Sequence, residues 1–185
     1  MMRKKALTVI LIMILGSLIY FAGGEVIKGF FLKGKPTTMY LMPVHTSMEG
    51  QSLPSIDLLL PDSTSFLDVN NVSPGKSIVL FYFGPHCPFC QAQTKEILKH
   101  ITQLKEIQFY FLTPYPFNDM KNFIRQFQLD NYSNITIGID YKFFVGTYFK
   151  INNVPFLAIY GKDKKLKGAF IGNVKCDQIK DFAEL

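Results

Sequence analysis

The sequence has no tryptophan, and only three cysteines and three histidines in 185 residues. Three cysteines are too few for a disulfide framework of the kind that staples small secreted scaffolds. A structural zinc site would need a second Cys-x-x-Cys or a Cys/His pair at ligand spacing. Neither occurs, and Cys176 stands alone, so no metal or other cofactor is expected. The net charge is +6, but the lysines are scattered without a long basic block, which leaves nucleic-acid binding without a footprint. No internal repeat is visible. What is present is 48% hydrophobic residues, enough for a packed core even after the apolar N-terminus is set aside.

That N-terminus begins basic (Arg3, Lys4, Lys5) and is almost wholly apolar over residues 6–22. The length lies near the lower limit of about 17 residues for crossing a bilayer. No clear Ala-x-Ala site follows, and no early cysteine offers a lipid anchor. Residues 1–24 are therefore expected to be an uncleaved signal-anchor, a transmembrane segment; cleavage and secretion are the alternative. Lys28, Lys33 and Lys35 follow the segment against Glu25 alone, so the charge bias places the N-terminus in the cytoplasm only by a small margin.

Residues 25–49 have no sustained period and read as a linker. Met39, Met42, His45 and Met48 recur in it every three residues, and Pro43 argues against an α-helix. In polyproline II, with three residues per turn, all four side chains would share one face. Thioether and imidazole groups suit Cu(I). The other reading is a linker that happens to contain methionines.

Residues 50–185 form the expected folded domain. Its centre is Gly84-Pro85-His86-Cys87-Pro88-Phe89-Cys90. The preceding run, residues 77–83, is continuously apolar and reads as a fully buried strand. After it, Ile97, Leu98, Ile101 and Leu104 mark one helical face, with Lys95, Glu96, Lys99 and Gln103 on the other. A strand thus delivers two cysteines onto the first turn of a helix. Helix starts present unpaired N–H groups and partial positive charge, which favours thiolate over thiol. Residues three apart share a helix face, so Cys90 lies within disulfide reach of Cys87. Cys87 would attack a disulfide and Cys90 would resolve the mixed disulfide that forms. Pro88 suits the first helical position, where its missing N–H is no loss. His86 has two readings: an imidazolium that stabilises the neighbouring thiolate, or a solvent-facing loop residue.

The remaining pattern supplies short strands at residues 56–60 and 66–69, buried strands at 107–112 and 135–139, and a hairpin from 156–160 and 166–171. Asn118 is expected to cap a helix with Met120, Phe123, Ile124 and Phe127 inward. Asp140 is expected to cap another that runs to Lys150 and carries Phe143, Phe144, Tyr148 and Phe149 as core. Residues 177–185 close the chain as a short helix. Strands alternating with helices imply parallel pairing, and the final hairpin adds antiparallel strands, which gives a three-layer α/β/α domain.

These residues resemble the thioredoxin-like fold, and within it the membrane-tethered TlpA/ResA-type thiol–disulfide oxidoreductases. The resemblance rests on strand–Cys87-Pro88-Phe89-Cys90–helix, on Asn152-Asn153-Val154-Pro155-Phe156 followed by Gly161-Lys162-Asp163, and on the entry segment from Gly50 and Pro54 to Gly75-Lys76. It implies an N-terminal β-hairpin extension and a cis Pro155. It also implies a Val154 backbone that pairs with the substrate polypeptide. There are departures. Phe81 stands where the thioredoxins carry a buried carboxylate. Gln93 stands where the ResA type often carries another, and His86 replaces the usual tryptophan. The usual proton acceptor for the resolving thiol is therefore missing, and Glu96 lies further along the helix.

The resemblance implies an enzyme that exchanges disulfides with protein substrates outside the cytoplasm, anchored in the inner (cytoplasmic) membrane with its catalytic domain in the periplasm. It would work as reductant more than oxidant, recharged by a membrane or soluble thiol donor. The alternative is a Cu(I)-binding module that uses the two cysteines, with His86 or the Met39–Met48 segment. A peroxiredoxin is disfavoured, because no Thr-x-x-Cys environment surrounds Cys87. Cys176 is expected to be a buried, inert thiol.

Overall fold

The computed structural model describes residues 40–71 and 75–185. In chain order its elements are β1 (Asp57–Leu59), β2 (Phe66–Asp68), β3 (Ser77–Tyr82), α1 (Pro88–Lys99), β4 (Ile107–Thr113), α2 (Phe117–Phe127), β5 (Ile135–Ile139), α3 (Phe144–Tyr148), β6 (Phe156–Tyr160), β7 (Leu166–Ile171) and α4 (Cys176–Ala183). One seven-stranded sheet runs β2-β1-β5-β4-β3-β6-β7. β3, β4 and β5 are parallel; β6 and β7 add antiparallel on one side, and the β1–β2 hairpin adds antiparallel to β5 on the other.

All six residues of β3 are buried. Side chains alternate across a strand. Val79 and Phe81 accordingly join one core cluster with Ile97 of α1, Phe123 of α2 and Ile179 of α4. Ile78, Leu80 and Tyr82 join the other, with Val145 of α3. The layers follow from the crossovers. β3–α1–β4 and β4–α2–β5 step the same way across the sheet, so α1 and α2 share a face; the chain then returns past β3 to reach β6, and α3 covers the opposite face. The expected three-layer α/β/α domain with a β-hairpin extension is the architecture observed.

One consequence positions everything that follows. Tyr82 pairs with Leu112 and with Phe156, and Thr113 pairs with Ile139. The ends of β3, β4 and β5 and the start of β6 therefore lie at the same end of the sheet.

Several local expectations need correction. α2 starts at Phe117 with Pro116 as its cap residue and no side-chain cap bond, so Asn118 lies inside the first turn. Pro116 O accepts from Asp119 N at 3.0 Å and Met120 N at 3.2 Å, which starts the helix without a polar cap. Asp140 does cap α3: its Oδ1 accepts from Phe144 N at 2.8 Å and its Oδ2 from Val145 N at 2.9 Å. That helix ends at Tyr148, short of Lys150, and Phe143 precedes it in the left-handed region at φ 52°. Phe143 and Phe144 are consequently exposed rather than core.

The expected linker is part of the folded body from Tyr40 onward. Val44 N donates to Ala169 O at 2.8 Å, Gly50 N to Leu166 O at 2.9 Å and Leu53 N to Lys164 O at 2.8 Å, so the segment covers the outer edge of β7. The Gln178 amide pairs with both backbone groups of Leu41. Ser47 at φ 64° interrupts any three-fold run. Met48 packs against the core, while Met42 is 80% exposed and His45 is exposed as well. These three do not share a face, and Met39 lies outside the described residues. So does the apolar run at 6–22; among the described residues, no helix is long and apolar enough to cross a membrane.

Candidate active site

At the end of β3 the chain turns through Gly84, Pro85 and His86. Cys87 N donates to Gly84 O at 3.0 Å, and Gln91 Nε2 donates to Pro85 O at 3.1 Å. A Cβ on Gly84 would sit 3.4 Å from the Tyr115 ring, so the loop after β4 packs directly on this turn. Cys87 is the cap residue of α1, with extended backbone (φ −75°, ψ 119°), and Pro88 follows in the first helical turn. The Cys90 N–H donates to Cys87 Sγ at 3.4 Å. Cys87 Sγ also lies 3.8 Å from the carbonyl oxygen of Val154, whose peptide bond to Pro155 is cis. The structure thus brings together Cys87, Cys90, Val154 and Pro155 from two loops 67 positions apart.

The two thiols differ sharply in environment. Cys87 is half-buried and Cys90 has no exposure. Burial is the main reason that the Cys90 thiol is pushed up to about 12, and the Cys87 sulfur adds to it against an opposing hydrogen bond from the Gly84 backbone. A thiol held this way keeps its proton until a base removes it.

Phe81 and Gln93, the two positions at which the resemblance leads one to expect a carboxylate, are packed and bonded in other ways. Phe81 is fully buried and edge-on to Phe111, with ring centroids 4.7 Å apart. Gln93 is fully buried as well: its Nε2 donates to Val174 O at 3.1 Å and its Oε1 accepts from Val174 N at 2.6 Å. This pairing needs one donor and one acceptor on the same side chain, which an amide has and a carboxylate lacks. Gln93 therefore clamps α1 to the loop between β7 and α4. Glu96 serves the same junction, since its Oε1 accepts from Cys176 N at 3.4 Å and lies 3.7 Å from His100 Nδ1. It is committed to the start of α4.

His86 is exposed, and its Nε2 lies 3.3 Å from Asp119 Oδ1 in the first turn of α2. Its ring meets Tyr115 edge-on at 6.5 Å. Phe89 is 64% exposed, while its carbonyl accepts from Asn173 Nδ2 at 3.0 Å. Asp119 and Tyr115 carry no signal at this site in the sequence, because only the parallel β3–β4 pairing brings the loop after β4 beside the cysteines. Cys176 is buried, which raises its pKa, and its Sγ lies 3.9 Å from Gln103 Oε1. Among the described residues, no group of three or more His, Cys, Asp or Glu side chains converges to hold a metal ion. A pocket of about 510 Å³ is lined by Pro61, Lys121, Arg125 and Asp130 rather than by the cysteines.

No family model and no curated protein matches the sequence. Solved structures do match in shape. DsbF from MTB is 17% identical with a TM-score of 0.59, covering 70% of this chain and 92% of that one. A secreted Mycobacterium tuberculosis disulfide oxidoreductase homologous to Escherichia coli DsbE is 16% identical with a TM-score of 0.56, covering 70% and 92%. StoA from Bacillus subtilis is 14% identical with a TM-score of 0.55, covering 72% and 99%. At these identities the likeness is one of fold: the chain has the thioredoxin-like fold. Its Cys-x-x-Cys stands at the head of the first helix after β3, facing the loop that opens β6.

Proposed function

We propose that the chain is a protein thiol–disulfide oxidoreductase of the TlpA/ResA type. The observation that carries this reading is the placement of Cys87 Sγ at the N-terminus of α1, 3.4 Å from the Cys90 N–H and 3.8 Å from Val154 O. The Cys87 thiolate attacks one sulfur of a substrate disulfide. That S–S bond breaks, a mixed disulfide forms, and one substrate thiolate leaves to take up a proton. Cys90 then gives its proton to a base and attacks Cys87 Sγ, which releases the second substrate thiol. Two electrons pass to the substrate, and Cys87–Cys90 becomes a disulfide until a membrane or soluble thiol donor reduces it.

In this reading Cys87 and Cys90 are catalytic. The Val154–Pro155 backbone aligns the substrate as a short added strand. His86, Pro88 and Phe89 modulate the site. Asp119 Oδ1, 3.3 Å from His86 Nε2, orients that ring at the turn before Cys87. The working direction is reduction of protein disulfides. The domain lies outside the cytoplasm, held by residues 1–24 as a membrane anchor; the apolar run at 6–22 and the secreted nature of one structural neighbour support this. For the alternative, Cu(I) binding, Met42 and His45 are exposed while Met48 packs against the core, which leaves at most those two exposed groups among the segment's described residues for a metal.

Reduction of insulin disulfides tests the reading. The wild-type protein should catalyse it with a dithiol donor, and Cys87→Ser should reduce turnover to the uncatalysed rate. Undiminished turnover in Cys87→Ser would overturn the assignment.

A further inference from the structure

The end of the sheet that carries Cys87 also carries aromatic side chains that the core does not use. Phe89 follows β3, Tyr115 follows β4, and Tyr141, Phe143 and Phe144 follow β5; all five are exposed. Phe143 is the most telling of the β5 group. It is 57% exposed and sits at φ 52°, a region that bulky side chains rarely adopt. The loop is fixed in this shape. Phe143 N donates to Asp140 O at 3.0 Å, and the Asp140 carboxylate takes the next two N–H groups. A buried acid thus secures a backbone that turns a phenylalanine outward. Tyr141, two residues earlier in the same loop, packs on Phe66 of β2, with ring centroids 5.2 Å apart.

We propose that this row is a docking ledge for the extended polypeptide flanking the substrate's reactive cysteine, and that Phe143 and Tyr141 receive an aromatic or large aliphatic side chain of that polypeptide. The inference rests on the thiol-exchange reading and adds a substrate preference to it. Strand spacing sets the register. From the end of β3 to the end of β5 is two strand spacings, about 10 Å, and an extended chain covers about 3.3 Å per residue. On that strand-end spacing the proposal places the preferred apolar residue about three or four positions from the cysteine that Cys87 attacks. A polypeptide fits better than a lipid surface for two reasons. The row starts at a half-buried sulfur that only a chain bearing its own sulfur can engage. Its borders also carry carboxylates: Asp119 beside His86, and Asp57 paired with Lys142 at 3.1 Å, which do not complement anionic headgroups.

The test uses the reduced full-length protein in detergent and a set of short peptides, each with one cysteine held as a mixed disulfide with a coloured aromatic thiol. A single phenylalanine is moved from one to six positions away from the cysteine in a serine background. Release of the coloured thiol should be about tenfold faster with phenylalanine three or four positions away than with serine throughout, the effect of covering part of one ring. In Phe143→Asn, which tolerates the left-handed backbone, that ratio should fall to about one, and Tyr141→Ser should lower it as well. A thermal transition checks that both variants are folded. Equal rates for all peptides, or a preference retained in both variants, would overturn the ledge while leaving thiol exchange standing. So would an unchanged peptide preference in Phe143→Asn together with protection of residues 141–144 from hydrogen exchange when the full-length wild-type protein is inserted into phosphatidylcholine–phosphatidylglycerol vesicles, which would make the row a lipid contact. Failure of the wild-type protein to react with any peptide would refute the thiol-exchange reading and the ledge with it.

Discussion

Cys90 is where the account makes its sharpest kinetic demand. Its thiol has no exposure and is pushed up to about 12, chiefly by burial. Phe81 and Gln93 supply no carboxylate to accept its proton, and Glu96 is tied to the start of α4. In the proposed exchange the resolving step then depends on the small fraction of Cys90 thiolate, which grows tenfold per pH unit well below the pKa. The second step should accordingly accelerate by about tenfold per unit between about pH 7 and 9, with no plateau. Rapid quenching with intact-mass detection of the mixed disulfide measures it. A plateau near neutral pH would reveal a dedicated base that this constellation does not contain.

At the scale of elements, Gln93 shows what a buried amide does at the position where the resemblance leads one to expect an acid. Its amide joins α1 to the loop between β7 and α4 through both backbone groups of Val174. Gln93→Glu would set a carboxylate against Val174 O in a fully buried place, with one backbone acceptor left unpaired. A loss of about 2–4 kcal/mol at neutral pH is expected. The loss should shrink as pH falls and the new acid is protonated, and urea unfolding at about pH 7 and pH 5 measures it. An unchanged midpoint would mean that the clamp contributes nothing. Elements with one dominant signal were legible in the sequence. β3 and β4 are continuous apolar runs, β6 and β7 flank a polar turn, and the Cys-Pro-Phe-Cys helix has clear periodicity. Other elements were not legible, because their cause is tertiary. The segment from Tyr40 to Leu53 has no period of its own and is ordered by the edge of β7. Phe143 and Phe144 read as core by composition, yet the Asp140 cap turns the first of them outward. The same limit applied to the site. Cys87, Cys90 and Val154-Pro155 stood out by motif, whereas Asp119 and Tyr115 reach it only through the β3–β4 pairing.

For the whole molecule, several buried acids bear on alkaline stability in one direction. Burial raises Cys90 from its ordinary 9.0 to about 12, raises Tyr110 to about 12, and raises Tyr82 and Tyr160 further. Each is neutral when protonated, and each is held neutral longer in the folded state than in the unfolded one. Their contribution is fully present below the ordinary values and is lost as pH rises through them toward the raised ones. The reduced protein should keep a constant urea midpoint up to about pH 8 and lose stability from about pH 9 upward. The oxidised protein has no Cys90 thiol to ionise but keeps Cys176, which burial also raises, so it should lose stability less steeply than the reduced protein between about pH 9 and 10, before the tyrosines take over. Coincident curves for the two redox states would remove Cys90 from this balance. The same division of labour between an accessible and a sealed sulfur underlies the proposed activity, and trapping tests it most directly. Reduced Cys90→Ser protein, mixed with insulin and analysed by intact mass, should form a covalent one-to-one adduct through Cys87 that a dithiol reverses, while Cys87→Ser forms none. Adducts of equal yield in both variants, or in neither, would contradict the account.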